Sequence, residues 1–168
     1  MLPLESRAHA RRSLLRSGVL VAFLITAFCL MPLRGQRWWI GVAIGVVAIL
    51  ATLPLTVRRV QAVRSAEQPI VVALEAIVLL VTMLVLGFAS VYYAIDNHHE
   101  QFEGLVTRLD AVYYTVTTLA TVGYGDIHPI GQPARAVATF QMLLNLAFVG
   151  IVVRVLARAA QGPRVDER

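Results

Sequence analysis

Ala111-Val112-Tyr113-Tyr114-Thr115-Val116-Thr117-Thr118-Leu119-Ala120 runs directly into Thr121-Val122-Gly123-Tyr124-Gly125-Asp126. Its first part is too short to cross a hydrocarbon core of about 30 Å, which takes roughly 17–25 helical residues. Asp110 has the side chain of an N-cap, so a helix is expected from Ala111 to about Ala120. At 1.5 Å per residue such a helix is roughly 15 Å long and reaches only the middle of a bilayer. The glycine-bearing segment after it then lies at membrane depth as non-helical backbone, which is tolerated there only where it lines a cavity or is buried in protein. The spacing predicts a re-entrant element, a half-helix leading in and an extended strand leading back out.

Gly123 and Gly125 alternate with Val122 and Tyr124. To replace the water shell of a partly dehydrated ion, successive backbone carbonyls must point at one axis. That takes backbone angles which residues with a β-carbon avoid at alternate positions, and glycine supplies them. Val122 and Tyr124 are expected to point away from the axis, with Tyr124 packing and hydrogen-bonding against the preceding helix. Thr121 can add its hydroxyl at the inner end. The C-terminus of the half-helix would aim partial negative charge at the same place, which favours a cation.

Working outward, four segments are long and apolar enough to be read as membrane helices: Ser17 to Leu33, Trp38 to Val57, Ile70 to Ile95, and Pro133 to about Leu156. The expected fold class is an all-α membrane protein with four transmembrane helices plus the re-entrant helix and loop. Composition agrees: 58% of the 168 residues are hydrophobic, 15% are charged, and the mean hydropathy is +0.70, which excludes an ordinary soluble domain. The single cysteine, Cys29, excludes an intrachain disulfide, and no His/Cys/Asp spacing fits a structural zinc site. The basic pI, about 10.1, comes from arginines clustered between apolar runs, a pattern of membrane flanks and not of a nucleic-acid surface. The first segment follows Arg11, Arg12 and Arg16 as a signal peptide would, but no small-x-small cleavage pattern precedes Arg34.

Arginine counts orient the chain. Arg7, Arg11, Arg12 and Arg16, then Arg58, Arg59 and Arg64, then Arg154, Arg158, Arg164 and Arg168 fall on one side of four spans, so both termini are expected in the cytoplasm. Trp38, Trp39, Tyr92 and Tyr93 then fall at the outer interface. The expected organisation is a basic N-terminus over 1–16, two peripheral helices over 17–57, a linker over 58–69, the functional module over 70–158 and a short tail over 159–168. Gly41 and Gly45 form a small-x-x-x-small pair that permits close helix approach.

From about Ile70 to Arg158 the sequence resembles the potassium channel family, on the helix Asp110 to Ala120, the filter Thr121 to Gly125, Asp126 and the flanking helices. The resemblance implies a homotetramer in the cell membrane. In it K+ is the permeant ion, held by the carbonyls of Thr121, Val122, Gly123, Tyr124 and Gly125 and by the Thr121 hydroxyl, and no cofactor or nucleic acid takes part. It also implies that Asp126, Thr117 and Tyr114 support the filter and that Asn145 and Gly150 are gate or cavity candidates on the inner helix. Three positions depart from the family pattern. Ala120 stands where many relatives have a second threonine, Thr117 where some have a glutamate that pairs with the aspartate after the filter, and Asn145 where a hinge glycine is common, with Gly150 five residues on.

Several residues leave alternatives open. Asn145 reads either as a ring of amides lining a cavity or as an interhelical hydrogen bond. Glu75 pairs with Arg58, Arg59 or Arg154, or else snorkels to the interface. His98 and His99, beside Glu100 and Glu103, read as an external pH sensor or as a solvated turret. The arginines attract anionic headgroups or serve only as topology determinants. No arginine ladder is found in a helix, and only Ala159 to Arg168 follow Arg158, so neither an intrinsic voltage sensor nor a soluble ligand-binding domain is expected. Competing readings are a non-conducting accessory subunit and an intramembrane aspartyl protease using the Gly-x-Gly-Asp run, with Asp96 as the second carboxylate. A channel, not an enzyme, is the leading expectation.

Overall fold

The computed structural model describes residues 4–31, 33, 38–64 and 69–160. Among them the elements in chain order are α1 (Leu4–Leu30), α2 (Trp38–Arg64), α3 (Pro69–His99), β1 (Phe102–Glu103), α4 (Arg108–Leu119), β2 (His128–Pro129) and α5 (Gln132–Ala160). Two helical stretches, Val71–Asn97 in α3 and Gln132–Arg154 in α5, are long and apolar enough to cross a membrane. Among the described residues the apolar runs of the first two helices are Ser17–Leu30 and Trp39–Ala51, which lie within the segments expected from sequence. In α1 the helix closes at Leu30, and the Leu33 N–H turns back onto the Met31 carbonyl at 2.9 Å. In α2 the helix carries Pro54 and runs on through Arg58 and Arg59 to Arg64, because arginine, glutamine and alanine are good helix formers. The basic clusters assigned to an N-terminal segment and a linker are thus largely helical extensions.

The Arg34 and Arg37 turn, Arg164 and Arg168 lie outside the described residues. So do the side chains of Arg7, Arg11, Arg12, Arg16, Trp38, Arg59, Arg64, His98, His99 and Arg158.

Helix α3 is the hub, packing against α1, α2, α4 and α5. Its closest approach is to α2. A β-carbon on Gly45 would lie 2.8 Å from the Gly87 carbonyl oxygen, and one on Gly87 would lie 2.9 Å from Ile49 Cγ1. Gly45 therefore serves the α2–α3 contact, whereas Gly41 makes room for the Leu33 side chain.

Tyr92 and Tyr93 are buried, which corrects their expected place in an interfacial aromatic belt. The reason is packing. Tyr92, Phe102 and Tyr114 form a mutually edge-to-face trio with ring centroids 5.0–5.3 Å apart, the arrangement aromatic quadrupoles favour. This trio holds α4 against α3. The β1–β2 ribbon pairs Phe102 with Pro129 and Glu103 with His128, tying the segment before α4 to the segment after the filter. Glu75 is buried, not carried out to an aqueous interface, and Arg58 and Arg154 are exposed.

Candidate functional site

Helix α4 begins one turn earlier than the sequence predicts. Thr107 is the N-cap, and Asp110 is its partner at N3 in a capping box. The Asp110 amide donates to the Thr107 hydroxyl at 3.2 Å, while Asp110 Oδ2 accepts from the N–H of Thr107 at 2.6 Å and of Val106 at 3.1 Å. Desolvation alone would raise the Asp110 pKa, but the hydrogen bonds from Thr107 and Val106 outweigh it and hold the carboxyl below the usual range. The box satisfies amide donors at the helix start and places a negative charge where the helix dipole welcomes it.

At the other end of α4 the helix runs out into Thr121–Gly125, the segment expected to be the filter. The Thr117 carbonyl accepts two N–H groups, from Val122 at 2.9 Å and Gly123 at 3.3 Å, and Thr121 N–H reaches the Thr118 carbonyl at 3.2 Å. The Thr117 hydroxyl is spent on the Tyr114 carbonyl at 3.0 Å. Thr117 thus touches the filter through its backbone, which any residue type provides, while Tyr114 stands behind the helix in the aromatic trio.

The filter backbone alternates. Thr121 (φ 57°), Gly123 (φ 53°) and Gly125 (φ 82°) have positive φ, and Val122 and Tyr124 between them do not. The alternation expected for two glycines extends to a third position, where Thr121 adopts a conformation that L residues disfavour. All six residues from Thr121 to Asp126 are exposed, Val122 at 51% and Tyr124 at 71%.

Support reaches the strand from behind. The Tyr124 ring stacks parallel to Tyr113 at 6.4 Å, and it is the Tyr113 hydroxyl that hydrogen-bonds here, donating to Asp126 Oδ2 at 2.9 Å. That bond to the Asp126 carboxylate, with smaller desolvation and charge effects, raises the Tyr113 pKa. His128 Nδ1 lies 3.1 Å from the Gly125 carbonyl, and its Nε2 lies 3.3 Å from Glu103. Gly104, at φ 82°, lets the chain pass beneath the strand, because a β-carbon there would meet the Asp126 carbonyl at 2.7 Å.

Helix α5 braces α4 with two amides one turn apart. Gln141 Nε2 donates to the Thr115 carbonyl at 3.2 Å, and its Oε1 accepts from Tyr92 Oη at 2.6 Å. Asn145 Nδ2 donates to the Thr118 carbonyl at 3.2 Å, whereas its buried Oδ1 has no partner within the described chain. Gly150 lies further along α5 with open space around it.

The half-helix, the strand of alternating backbone handedness and helix α5 lie within the stretch that known proteins match. Residues 80–162 match the family model described as "Ion channel". The chain is 39% identical over 72 residues to "Two pore potassium channel b" of Oryza sativa subsp. japonica, covering 43% of this chain and 20% of that protein. It is 32% identical over 81 residues to "Two-pore potassium channel 5" of Arabidopsis thaliana, covering 47% and 19%. It is 26% identical over 127 residues to "Calcium-activated potassium channel slo-1" of Caenorhabditis elegans, covering 73% and 11%. This chain is similar to potassium channels over about half of its length. It spans about a fifth of the length of the plant potassium channels it matches. No solved structure matches it at a significant level.

Within the matched stretch, the sequence reading missed Tyr113, His128, Arg108 and the role of Gln141. The i, i+4 spacing of Gln141 and Asn145 was a visible signal, since two amides on one helix face in a membrane span need acceptors. The protease reading loses its geometry. Asp96 accepts from the Phe102 N–H at 2.8 Å and Asp126 from Tyr113, so each carboxylate is engaged separately, and the named relatives are channels.

Proposed function

We propose that this chain forms a tetrameric pore that conducts K+ passively across the cell membrane, with α1, α2, α3 and α5 spanning it and both termini in the cytoplasm. The observation that carries the reading is the positive φ at Thr121, Gly123 and Gly125. Alternating handedness turns successive carbonyls toward one side of the strand, so four strands about an axis offer stacked rings of oxygens. Such rings replace the hydration shell of the ion, and the Thr121 hydroxyl extends the stack at the inner end. The C-terminus of α4 points partial negative charge toward the inner mouth. K+ is the substrate, and no cofactor enters the step.

Exposure of Val122 and Tyr124 supports assembly, because apolar side chains flanking the filter of a single chain need neighbours to cover them. Gating through voltage would need an arginine ladder, and the apolar runs Ser17–Leu30 and Trp39–Ala51 contain no arginine. The pore itself, lipid, membrane tension or a partner protein is the stimulus in this reading, with anionic headgroups drawn to the arginine clusters. The test is K+ flux into liposomes holding the purified protein, with Na+ controls. Potassium-selective flux supports the proposal, and equal Na+ flux refutes it.

A further inference from the structure

Arg108 breaks a local rule. It occupies the first helical position of α4, directly after the Thr107 N-cap, where the helix dipole disfavours a cation. Its guanidinium is turned away from its own helix and onto the end of α1. Nη1 donates to the carbonyls of Phe28 and, at 2.6 Å, of Cys29, and Nη2 donates to the Met31 carbonyl at 2.7 Å. These carbonyls belong to the C-terminal end of α1, where acceptors lack helical donors and carry partial negative charge. The guanidinium also lies 6.0 Å from the Phe28 ring centroid and 5.8 Å from that of Tyr93, within cation–π range. A planar fork with five donors suits this arrangement in a way a lysine ammonium does not.

Helix α4 is a short rigid rod. Arg108 stands at its start, and near its end the Thr117 carbonyl grips the Val122 and Gly123 N–H groups. A continuous path therefore runs from the end of α1 through one side chain and one helix to the middle of the filter. We propose that Arg108 is a positioning residue that couples α1 to the filter strand, so that displacement of α1 alters the filter and filter occupancy alters the end of α1. The inference deepens the channel reading and rests on it for what the strand does, but its first readout needs no current.

Hydrogen exchange on the full-length protein in lipid nanodiscs, in K+ and in Na+, tests the coupling. In Arg108→Gln the amides of Val122 and Gly123 are expected to exchange about tenfold faster than in wild type, with Arg108→Lys between the two. Coupling is reciprocal, so exchanging K+ for Na+ in wild type is expected to change protection over Thr26–Leu30, and that response is lost in Arg108→Gln. A role confined to capping α1 predicts faster exchange in α1 with unchanged filter amides, and that result overturns the proposal. So does a wild-type α1 indifferent to the ion. If the glutamine variant does not assemble, the graded lysine variant decides by the same two readouts. Liposome flux is measured in parallel: loss of K+ selectivity in wild type refutes the channel reading, whereas the exchange data judge the coupling.

Discussion

Replacing Gln141 by leucine should destabilise the protein, while the same replacement one turn later at Asn145 should not. Gln141 is fully buried and both ends of its amide are engaged: it accepts from Tyr92 Oη at 2.6 Å and donates to the Thr115 carbonyl at 3.2 Å. Leucine removes both bonds, each worth about 1 kcal/mol net, and leaves the buried Tyr92 hydroxyl without an acceptor, which costs about 1–3 kcal/mol. Leucine returns part of this as apolar contact, so the net is about 2–3 kcal/mol per chain. Hydrogen bonds between membrane helices average nearer ~0.6 kcal/mol, which sets the lower end at about 1 kcal/mol. At roughly 2–4 °C per kcal/mol for a chain of this size, the melting midpoint should fall by roughly 2–12 °C. Adding Tyr92→Phe to Gln141→Leu removes the stranded hydroxyl and should recover about 1 kcal/mol, a coupling that a double-mutant cycle reads directly. Asn145→Leu loses one bond of about 1 kcal/mol but also removes Oδ1, a buried acceptor with no partner whose desolvation costs about 1–3 kcal/mol. Its melting midpoint should stay within a few degrees of wild type, with single-channel conductance unchanged. A neutral Gln141→Leu would refute the bracing of α4 by α5. An Asn145→Leu as damaging as Gln141→Leu, or one that changes conductance, would mean that Oδ1 finds water, ion or a neighbouring subunit in the assembly.

Gly123→Ala has room for its β-carbon but must hold φ near 53°, at about 1–2 kcal/mol per strand, and should cut K+ flux more than tenfold while leaving the oligomer intact by native mass measurement. Asp110 has a folded-state pKa below its unfolded value, so its stabilisation is present above the unfolded pKa near 4 and is lost as pH falls through the folded value. Asp110→Ala should lower stability at pH 7 by about 1 kcal/mol and remove that acid-side decline from a pH series of melting curves. Gly87→Leu drives a side chain into Ile49 and the Gly45 backbone and should destabilise by about 1–3 kcal/mol in thermal unfolding of the detergent-solubilised chain.

The half-helix and strand were legible in sequence because they combine a length limit with a conformational one: a ten-residue, mostly apolar stretch cannot span a bilayer, and alternate glycines signal alternate backbone handedness. Asp110 was recognised as a capping residue but misplaced by three positions, since Thr107 and Asp110 both suit an N-cap and only the reciprocal hydrogen bonds separate them. Tyr92 and Tyr93 misled because an aromatic residue near a helix end suits a lipid interface and a protein core equally well; their burial depends on α4 lying against them. Arg108 escaped notice because its partners are backbone carbonyls some 77 to 80 residues away, and carbonyls carry no sequence signature. Gly45 was found as half of a small-residue pair on one helix, but its partner Gly87 lies on another, which spacing within α2 could not reveal.

The filter strand is held from one side only. Behind it stand the Thr117 carbonyl, the Tyr113–Asp126 bond and His128; in front, a β-carbon on Gly123 or Gly125 would meet nothing within 4 Å. Thr121 holds positive φ there at a cost of about 1–2 kcal/mol. Carbonyls turned to one side also repel each other when four strands converge, so closing the ring requires a cation between them. An ion that binds the assembled filter and not the separated chains stabilises the assembly by RT ln(1 + [K+]/Kd), about 2.7 kcal/mol at a hundredfold excess over Kd. Melting of the purified oligomer should therefore rise with K+ concentration and hardly respond to Na+, and Gly123→Ala should flatten the K+ dependence. An oligomer that melts at the same temperature in both salts would show that the strand does not depend on the ion for closure, and the carbonyl-ring account of Thr121 to Gly125 would fall with it.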